Sequence, residues 1–465
     1  MSTPAPTSIR FLGAAGTVTG SRFLVEYGSH QLLLEAGLFQ GPREWRRRNW
    51  DDLPLPAKEL DSVVISHAHL DHCGYLPRLW RQGYRGPIYL TPDTANLASI
   101  VLRDSARIQE EDARYAKKEG YSRHDDPQPL YESRDAEGAI SLFQPLSYGQ
   151  WQELPGGAKV RLLPAGHILG SAIVDLDVGG VAILHSGDLG QGNHPLLVGP
   201  HIIPEVSYDA VLVESTYGAR LHPEAESGLD EIIRTTIARD GTVLIPAFAV
   251  DRTEIILAEI NDLMDSDQIP RVPIYVDSPM AIRALQVYRH AIDSDHQEIR
   301  PEIREHLSAS DVFNPGTLET LPTPEDSKSI NGAPPCIIIS ASGMATGGRV
   351  LHHLKRLLPD PRNAVVLTGY QAAGTRGASL RDGADSVRIH GQDIAVEAEV
   401  VQLEHFSVHA DRDDVRAWLS SAAVLPKRVV LIHGEDEARD ELAPVLEKEF
   451  GVKVFAPKYE ETLPL

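Results

Sequence analysis

His67-Ala68-His69-Leu70-Asp71-His72-Cys73-Gly74 follows directly on the apolar run Ser62-Val63-Val64-Ile65-Ser66. That run is short, rich in valine and isoleucine and closed by polar residues, which predicts a buried strand. The loop after it places four metal-competent side chains, His67, His69, Asp71 and His72, within six residues. His67 and His69 can face one ion while Asp71 and His72 turn to a second. Imidazole nitrogen and carboxylate oxygen suit zinc, and two ions about 3.5–4 Å apart can share a water.

Two ions need more donors than one loop supplies. Further candidates share a format, each standing at or just beyond the end of an apolar run: His167 after Val160–Pro164, Asp188 after Val181–His185, and His433 after Val429–Ile432. Asp188 can bridge both ions because a carboxylate has two oxygens. Alone, each of these residues would be an ordinary polar group at a strand end. Beside the six-residue loop they become a ligand set.

The chain has 465 residues, enough for two or more domains, and its 42% hydrophobic and 24% charged composition is that of a globular enzyme. Disordered, collagen-like and coiled-coil chains are excluded. A formal net charge of −22 argues against general polyanion binding, so a nucleic-acid role needs a local basic patch. Two cysteines, Cys73 and Cys336, cannot build a disulfide framework and suit a reducing compartment. There is no basic-then-apolar leader pattern and no apolar run of about 20 residues, so a cytoplasmic protein without a membrane span is expected.

Along the chain, Ile9–Leu12, Phe23–Glu26 and Leu32–Glu35 read as opening antiparallel strands, and Thr94–Lys117 as a long helix. Residues 120–150 read as a surface connection, and strands resume at Lys159–Leu163, Ala172–Val178 and Val181–His185. From about Tyr208 strands alternate regularly with helices, which predicts a parallel sheet covered by helices. Within that region Asn314–Pro335 is proline-rich and reads as a loop.

The sequence resembles the β-CASP branch of the metallo-β-lactamase-fold hydrolases, a group of RNA-processing nucleases. The resemblance spans nearly the whole chain. It is carried by HAHLDHCG at 67–74, AGHILGSA at 165–172, SGDLG at 186–190, ESTYG at 214–218, PAFAVDR at 246–252, DSPMA at 277–281, SASGMATGGR at 340–349, GYQAAGTRG at 369–377, FSVHAD at 406–411 and IHGE at 432–435. It implies an α/β protein, an αββα metallo-β-lactamase sandwich with an inserted β-CASP domain. The hydrolase domain would comprise residues 1–206 and 399–465, the β-CASP domain residues 207–398, and the active site would lie in the cleft between them.

The resemblance assigns His67, His69 and His167 to one zinc, Asp71, His72 and His433 to another, and Asp188 to both: two Zn²⁺ per chain, with Mn²⁺ as the alternative. Glu35 stands where relatives carry an aspartate that orients the metal loop, and the extra methylene rearranges that support. His409 matches the histidine assigned to the scissile phosphate and to general-acid duty, and Glu214 its acidic partner. Asp71 can also orient the attacking water. Histidine at 433 matches RNA-acting rather than DNA-acting members, so single-stranded RNA is the expected partner.

Arg252, Arg349 and Arg376, with the backbone of Ser342-Gly343-Met344 and Gly347-Gly348, lie in family motifs suited to holding a phosphate. Outside those motifs, Arg43, Arg46, Arg47 and Arg48 interleave with Trp45 and Trp50, a pattern that suits either RNA contact or a solvated basic turn. With no recognisable extra module at either end, the chain reads as a minimal catalytic unit. The expected function is zinc-dependent hydrolysis of RNA phosphodiester bonds in processing or degradation. Two other readings are a small-molecule ester or phosphodiester hydrolase on the same dinuclear site, and a non-catalytic RNA-binding scaffold. Internal against terminal cleavage, protein partners, and monomer against homodimer stay open.

Overall fold

In a computed structural model, residues 7–119, 126–222, 228–372 and 374–465 are described. The chain forms two compact units, Met1–Leu221 with Val408–Leu465, and His222–Ser407.

The first unit is built on two seven-stranded sheets. One runs Thr462–Pro464, Ser8–Phe11, Phe23–Tyr27, His30–Leu34, Ser62–Val64, Ile88–Leu90, Phe143–Pro145. Its first four strands pair antiparallel and the rest parallel, so the chain's last strand closes on its first. The other sheet runs Lys453–Phe455, Arg428–Ile432, Ala210–Glu214, Val181–His185, Ala172–Val178, Lys159–Pro164, Gln152–Glu153. Alternation along the strands gives each sheet one face for the shared core. Phe11, Phe23, Val25, Leu34 and Val64 of one meet Leu162, Val174, Ile183, Leu212 and Val430 of the other. The outward residues of the second sheet, including Leu184, Val211, Val213 and Leu431, are covered by Val415, Trp418, Leu442 and Leu446 of the helices Arg412–Ser420 and Asp436–Phe450. The layers are those of an αββα sandwich.

The second unit centres on a six-stranded parallel sheet in the order Leu318–Thr320, Ile274–Val276, Ile337–Ser340, Val243–Pro246, Ala364–Thr368, Glu399–Leu403. Leu244, Ile338 and Val365 pack on Val350, Leu354 and Leu357 of the helix Val350–Leu357. Their neighbours Val243, Ile245, Ile337 and Ile339, which alternation points to the opposite face, are buried as completely.

Three expectations need correction. The described part of 120–150 holds a helix, Ser133–Ile140, begun by a reciprocal cap between Glu132 and Asp135, and the strand Phe143–Pro145. Its buried face is only Ala136 and Ala139 beside Asp135, too small to mark a helix from sequence. Asn314–Pro335 contains the strand Leu318–Thr320 and the helix Pro324–Ser329, where proline occupies the first helical turn and Thr323 caps it. The domain limits at 206/207 and 398/399 separate strands from their sheets. Ala210–Glu214 pairs with Val181–His185 and Arg428–Ile432 in the first unit, and Glu399–Leu403 pairs with Ala364–Thr368 in the second.

One buried carboxylate in the second unit sets a pH dependence. Glu254, on the helix Arg252–Asp265, is fully buried, and among the described residues no side-chain donor reaches either of its oxygens. Burial first, and the neighbouring Asp251 second, push its pKa well above the usual carboxylate value. The folded state therefore binds a proton that the unfolded chain releases above about pH 4.3, and stability falls as pH rises between the two pKa values, by about 1.4 kcal/mol per unit. Glu254→Gln, which mimics the protonated acid, is expected to raise the melting temperature at pH 8 and to lose that advantage near pH 4. Thermal unfolding of both proteins across that range checks it, and a gain that grows toward low pH would contradict it.

Candidate metal centre

The site of the first unit assembles at the carboxyl ends of strands from both sheets. His67 lies beyond Ser62–Val64, and His69 starts the short helix Leu70–Cys73 that carries Asp71 and His72. His167 follows Lys159–Pro164, Asp188 follows Val181–His185, Glu214 ends Ala210–Glu214, and His433 follows Arg428–Ile432. Parallel pairing of the last three strands sets Glu214 opposite Ile432, the residue before His433. Two glycines permit the close approach of these loops. A Cβ on Gly187 would stand 2.8 Å from Ser66 Cβ, and one on Gly190 1.9 Å from the Gly166 carbonyl.

The donors fall into two groups. His67, His69, His167 and Asp188 present one ligand atom each, all within 4.8 Å of one another, and so do Asp71, His72 and His433. A third combination, Asp188, Glu214 and His433, meets the same limit. His69 Nδ1 lies 3.2 Å from His67 Nε2 and 3.3 Å from His167 Nε2. His72 Nε2 is 3.2 Å from His433 Nε2, which is 3.4 Å from Asp71 Oδ2. One ring nitrogen carries at most one proton, so His69 Nδ1 cannot donate to both neighbours. Tetrahedral zinc with bonds of about 2.0–2.1 Å sets its ligand atoms about 3.3 Å apart, and the donor set fits that spacing. Asp188 reaches both groups: Oδ1 is 3.2 Å from His72 Nε2 and 3.3 Å from His433 Nδ1, and Oδ2 is 3.5 Å from His67 Nε2 and 3.7 Å from His167 Nε2.

Burial, with neighbouring imidazoles adding to it, holds His67 and His167 well below the usual histidine pKa, in the neutral form that ligates metals. Burial alone would raise Asp188, but His433, His72 and His67 outweigh it and keep the carboxylate ionised. Glu35 is fully buried behind the loop. Burial opposes its charge, yet contacts with His185 Nε2 at 3.0 Å and His72 Nδ1 at 3.6 Å bring its pKa down to about 2. It also accepts from the Ser66 backbone N–H at 3.2 Å, so the glutamate does brace the loop, with His185 filling out its other side.

His409 Nδ1 is 3.1 and 3.2 Å from the two Glu214 oxygens and 3.8 Å from Asp188 Oδ2. The buried Glu214 carboxylate also accepts from the Leu189 N–H at 2.6 Å and the Thr216 hydroxyl at 2.5 Å. Burial lowers the pKa of His409, but Glu214 more than reverses it, so the imidazolium is favoured. Nδ1 faces both oxygens of Glu214, so the pair is fixed through that nitrogen.

Sequence reasoning missed Ser66, whose hydroxyl lies 2.9 Å from His67 Nδ1, and His185 and Thr216. Ser66 adjoins the loop and was open to reading, whereas His185 meets Glu35 only through the packing of two sheets. The remaining candidates lie in the second unit. Arg252 donates to the Thr368 carbonyl, and Arg349 to Asp277 and the Leu321 and Pro322 carbonyls. Arg376 donates to the carbonyls of Arg388, Ala345 and Thr346, so it buttresses the Ser342–Gly348 loop. The Ser342 hydroxyl meets Thr346, and space around Gly347 is open.

A double-sheet sandwich with this donor set at its strand ends defines the metallo-β-lactamase-fold class. Residues 253–380 match the family model of the Beta-Casp domain, and 393–457 that of the Zn-dependent metallo-hydrolase RNA specificity domain. The chain is 39% identical over 457 residues to Ribonuclease TTHA0252 of Thermus thermophilus, covering 97% of this chain and 99% of that protein. It is 32% identical over 464 residues to an RNase J-like protein of Methanocaldococcus jannaschii, covering 98% and 99%. It is 30% identical over 464 residues to Transcription termination factor FttA of the same organism, covering 97% and 70%. A solved protein of unknown function from Enterococcus faecalis V583 shares the fold, with a TM-score of 0.55, 14% identity and coverage of 99% and 100%. The chain belongs to the β-CASP family of metallo-β-lactamase-fold RNA nucleases. Among the described residues, no helix is long and apolar enough to cross a membrane.

Proposed function

We propose that the protein is a zinc-dependent ribonuclease that hydrolyses phosphodiester bonds of single-stranded RNA. The observation that carries this is the convergence of seven histidine and aspartate side chains into two donor groups joined by Asp188, with the His409–Glu214 pair beside them. His67, His69 and His167 would hold one ion, Asp71, His72 and His433 the other, and Asp188 would bridge them. When bound, the ions supply an activated water and neutralise charge on the phosphoryl oxygens.

The chain's own groups do the rest. Asp71, only partly buried, orients the attacking water. Glu214 holds His409 protonated through Nδ1, and Nε2 gives its proton to the leaving sugar oxygen. The products are a 5′-phosphate and a 3′-hydroxyl. In the second unit, the backbone amides of Ser342–Gly348, braced by Arg376, would form a phosphate cradle, with Arg252 and Arg349 as the further candidates for phosphate contact.

End-labelled single-stranded RNA incubated with zinc-loaded protein tests the reading. Cleavage that disappears on chelation, and in His69→Ala, is expected. An intact substrate with the wild type, or equal cleavage by His69→Ala, would refute it.

A further inference from the structure

The helix Arg43–Arg47 opens after Pro42, and its turns run on as Arg48, Asn49 and Trp50 donate to the carbonyls of Trp45, Arg46 and Arg47. Arg43, Arg46, Arg47 and Trp50 therefore recur at i, i+3, i+4 and i+7, the spacing of a single helical face. All four are exposed, Trp50 to 51%. Glu44 is exposed beside the stripe, whereas Trp45, Arg48 and Asn49 turn inward. Asn49 is buried, with its amide bonded to the backbone of Phe39 and to Arg22. The Arg48 guanidinium lies 3.8 Å from the centre of the Tyr459 ring and 4.3 Å from that of Trp45. Arg22 likewise stacks on Tyr75 at 3.7 Å. So two arginines are spent on aromatic rings, while Arg43, Arg46 and Arg47 enter no ion pair among the described residues.

Nothing in the fold calls for this stripe. Like charges three and four residues apart on a helix repel, and an exposed tryptophan keeps apolar surface in water. Residues 43–50 carry four arginines and one glutamate within a chain of net charge −22. The stripe is also tied to the metal loop. Leu38 N donates to the Leu70 carbonyl at 2.8 Å, and Ser21 N to that of Asp71 at 2.9 Å. Arg43 stands five residues past Leu38, which keeps it within about 18 Å even for an extended chain.

We propose that this stripe binds the substrate strand beside the metal centre, the three arginines on backbone phosphates and Trp50 stacked on a base. The proposal rests on the ribonuclease reading and adds a binding track to it. Each arginine replaces counterions on a phosphate, and an indole face accepts any base, so the track holds single-stranded RNA without reading its sequence.

The test compares wild type, the triple variant Arg43→Gln, Arg46→Gln, Arg47→Gln, and Trp50→Ala, all changed at exposed positions. Cleavage of a 20-nucleotide RNA and of a trinucleotide is measured, together with binding of a fluorescent, 2′-O-methylated 20-mer across a salt series. For the triple variant the KM of the long RNA is expected to rise about tenfold or more with kcat kept, and the slope of log affinity against log salt to shrink by about 2. Trp50→Ala is expected to raise KM about 5- to 150-fold with the salt slope unchanged. Unchanged KM and salt slope in the triple variant would overturn the proposal. So would weaker binding of a poly-glutamate peptide with RNA binding intact, because the stripe would then serve an acidic protein. If the wild type cleaves no RNA, the ribonuclease reading fails on its own, and the salt slope still decides the stripe.

Discussion

Asp188→Ala is expected to abolish RNA cleavage and to empty the metal centre, while the protein keeps its fold. Asp188 is 1% exposed and stands between imidazoles of both donor groups, at 3.2 and 3.3 Å on one oxygen and 3.5 and 3.7 Å on the other. Removing it takes away the carboxylate that, among the described residues, stands against imidazoles of both groups. The remaining imidazoles then face one another with Asp71 and Glu35 at the edge of the cluster but no carboxylate between the two groups. Metal content should fall from two ions per chain to less than one, and kcat/KM by at least on the order of 10³-fold, because water activation goes with the ions. Elemental analysis and cleavage assays on one preparation check both, with circular dichroism as the control for folding. A variant that keeps both ions and its activity would remove Asp188 from the centre.

His409→Ala is expected to separate chemistry from metal binding. His409 belongs to neither of the two principal donor groups, and its Nδ1 is held by Glu214 at 3.1 Å. Loss of a general acid costs about 10²–10⁴-fold in rate, so kcat should fall by that amount while both ions stay. Glu214→Gln should fall less, because the ring keeps an acceptor but loses the charge that holds its proton. The assignment makes one demand that a merely structural role does not. A phosphodiester with a p-nitrophenolate leaving group needs no proton, so the variant should cleave it nearly as well as the wild type. An equal deficit on both substrates would make His409 a positioning residue.

The gathering of the seven candidate ligands was largely legible in the sequence. Four of the seven stand within six residues, and each of the others follows an apolar strand, so chain order alone gathers them. His185 was not legible as the partner of Glu35, because a side chain's neighbour across two packed sheets depends on registers set 150 residues apart. The same limit explains the misplaced boundary at 206/207. Ala210–Glu214 is an apolar run with no mark of the sheet it joins, and its pairing with Val181–His185 and Arg428–Ile432 assigns it. The helix Ser133–Ile140 escaped because alanines beside a buried aspartate make its inner face. For the arginine cluster, composition showed the charge but not its direction. Only the helical turns through Trp50 separate the exposed stripe from Arg48, which the aromatic rings hold.

The most direct test of the account is a count of zinc in the wild-type protein. The chain is equilibrated with excess zinc, freed of unbound metal by gel filtration, and measured by elemental analysis against protein concentration. Two ions per chain are expected. A fully loaded protein holding one ion, or none, would contradict the account at its centre.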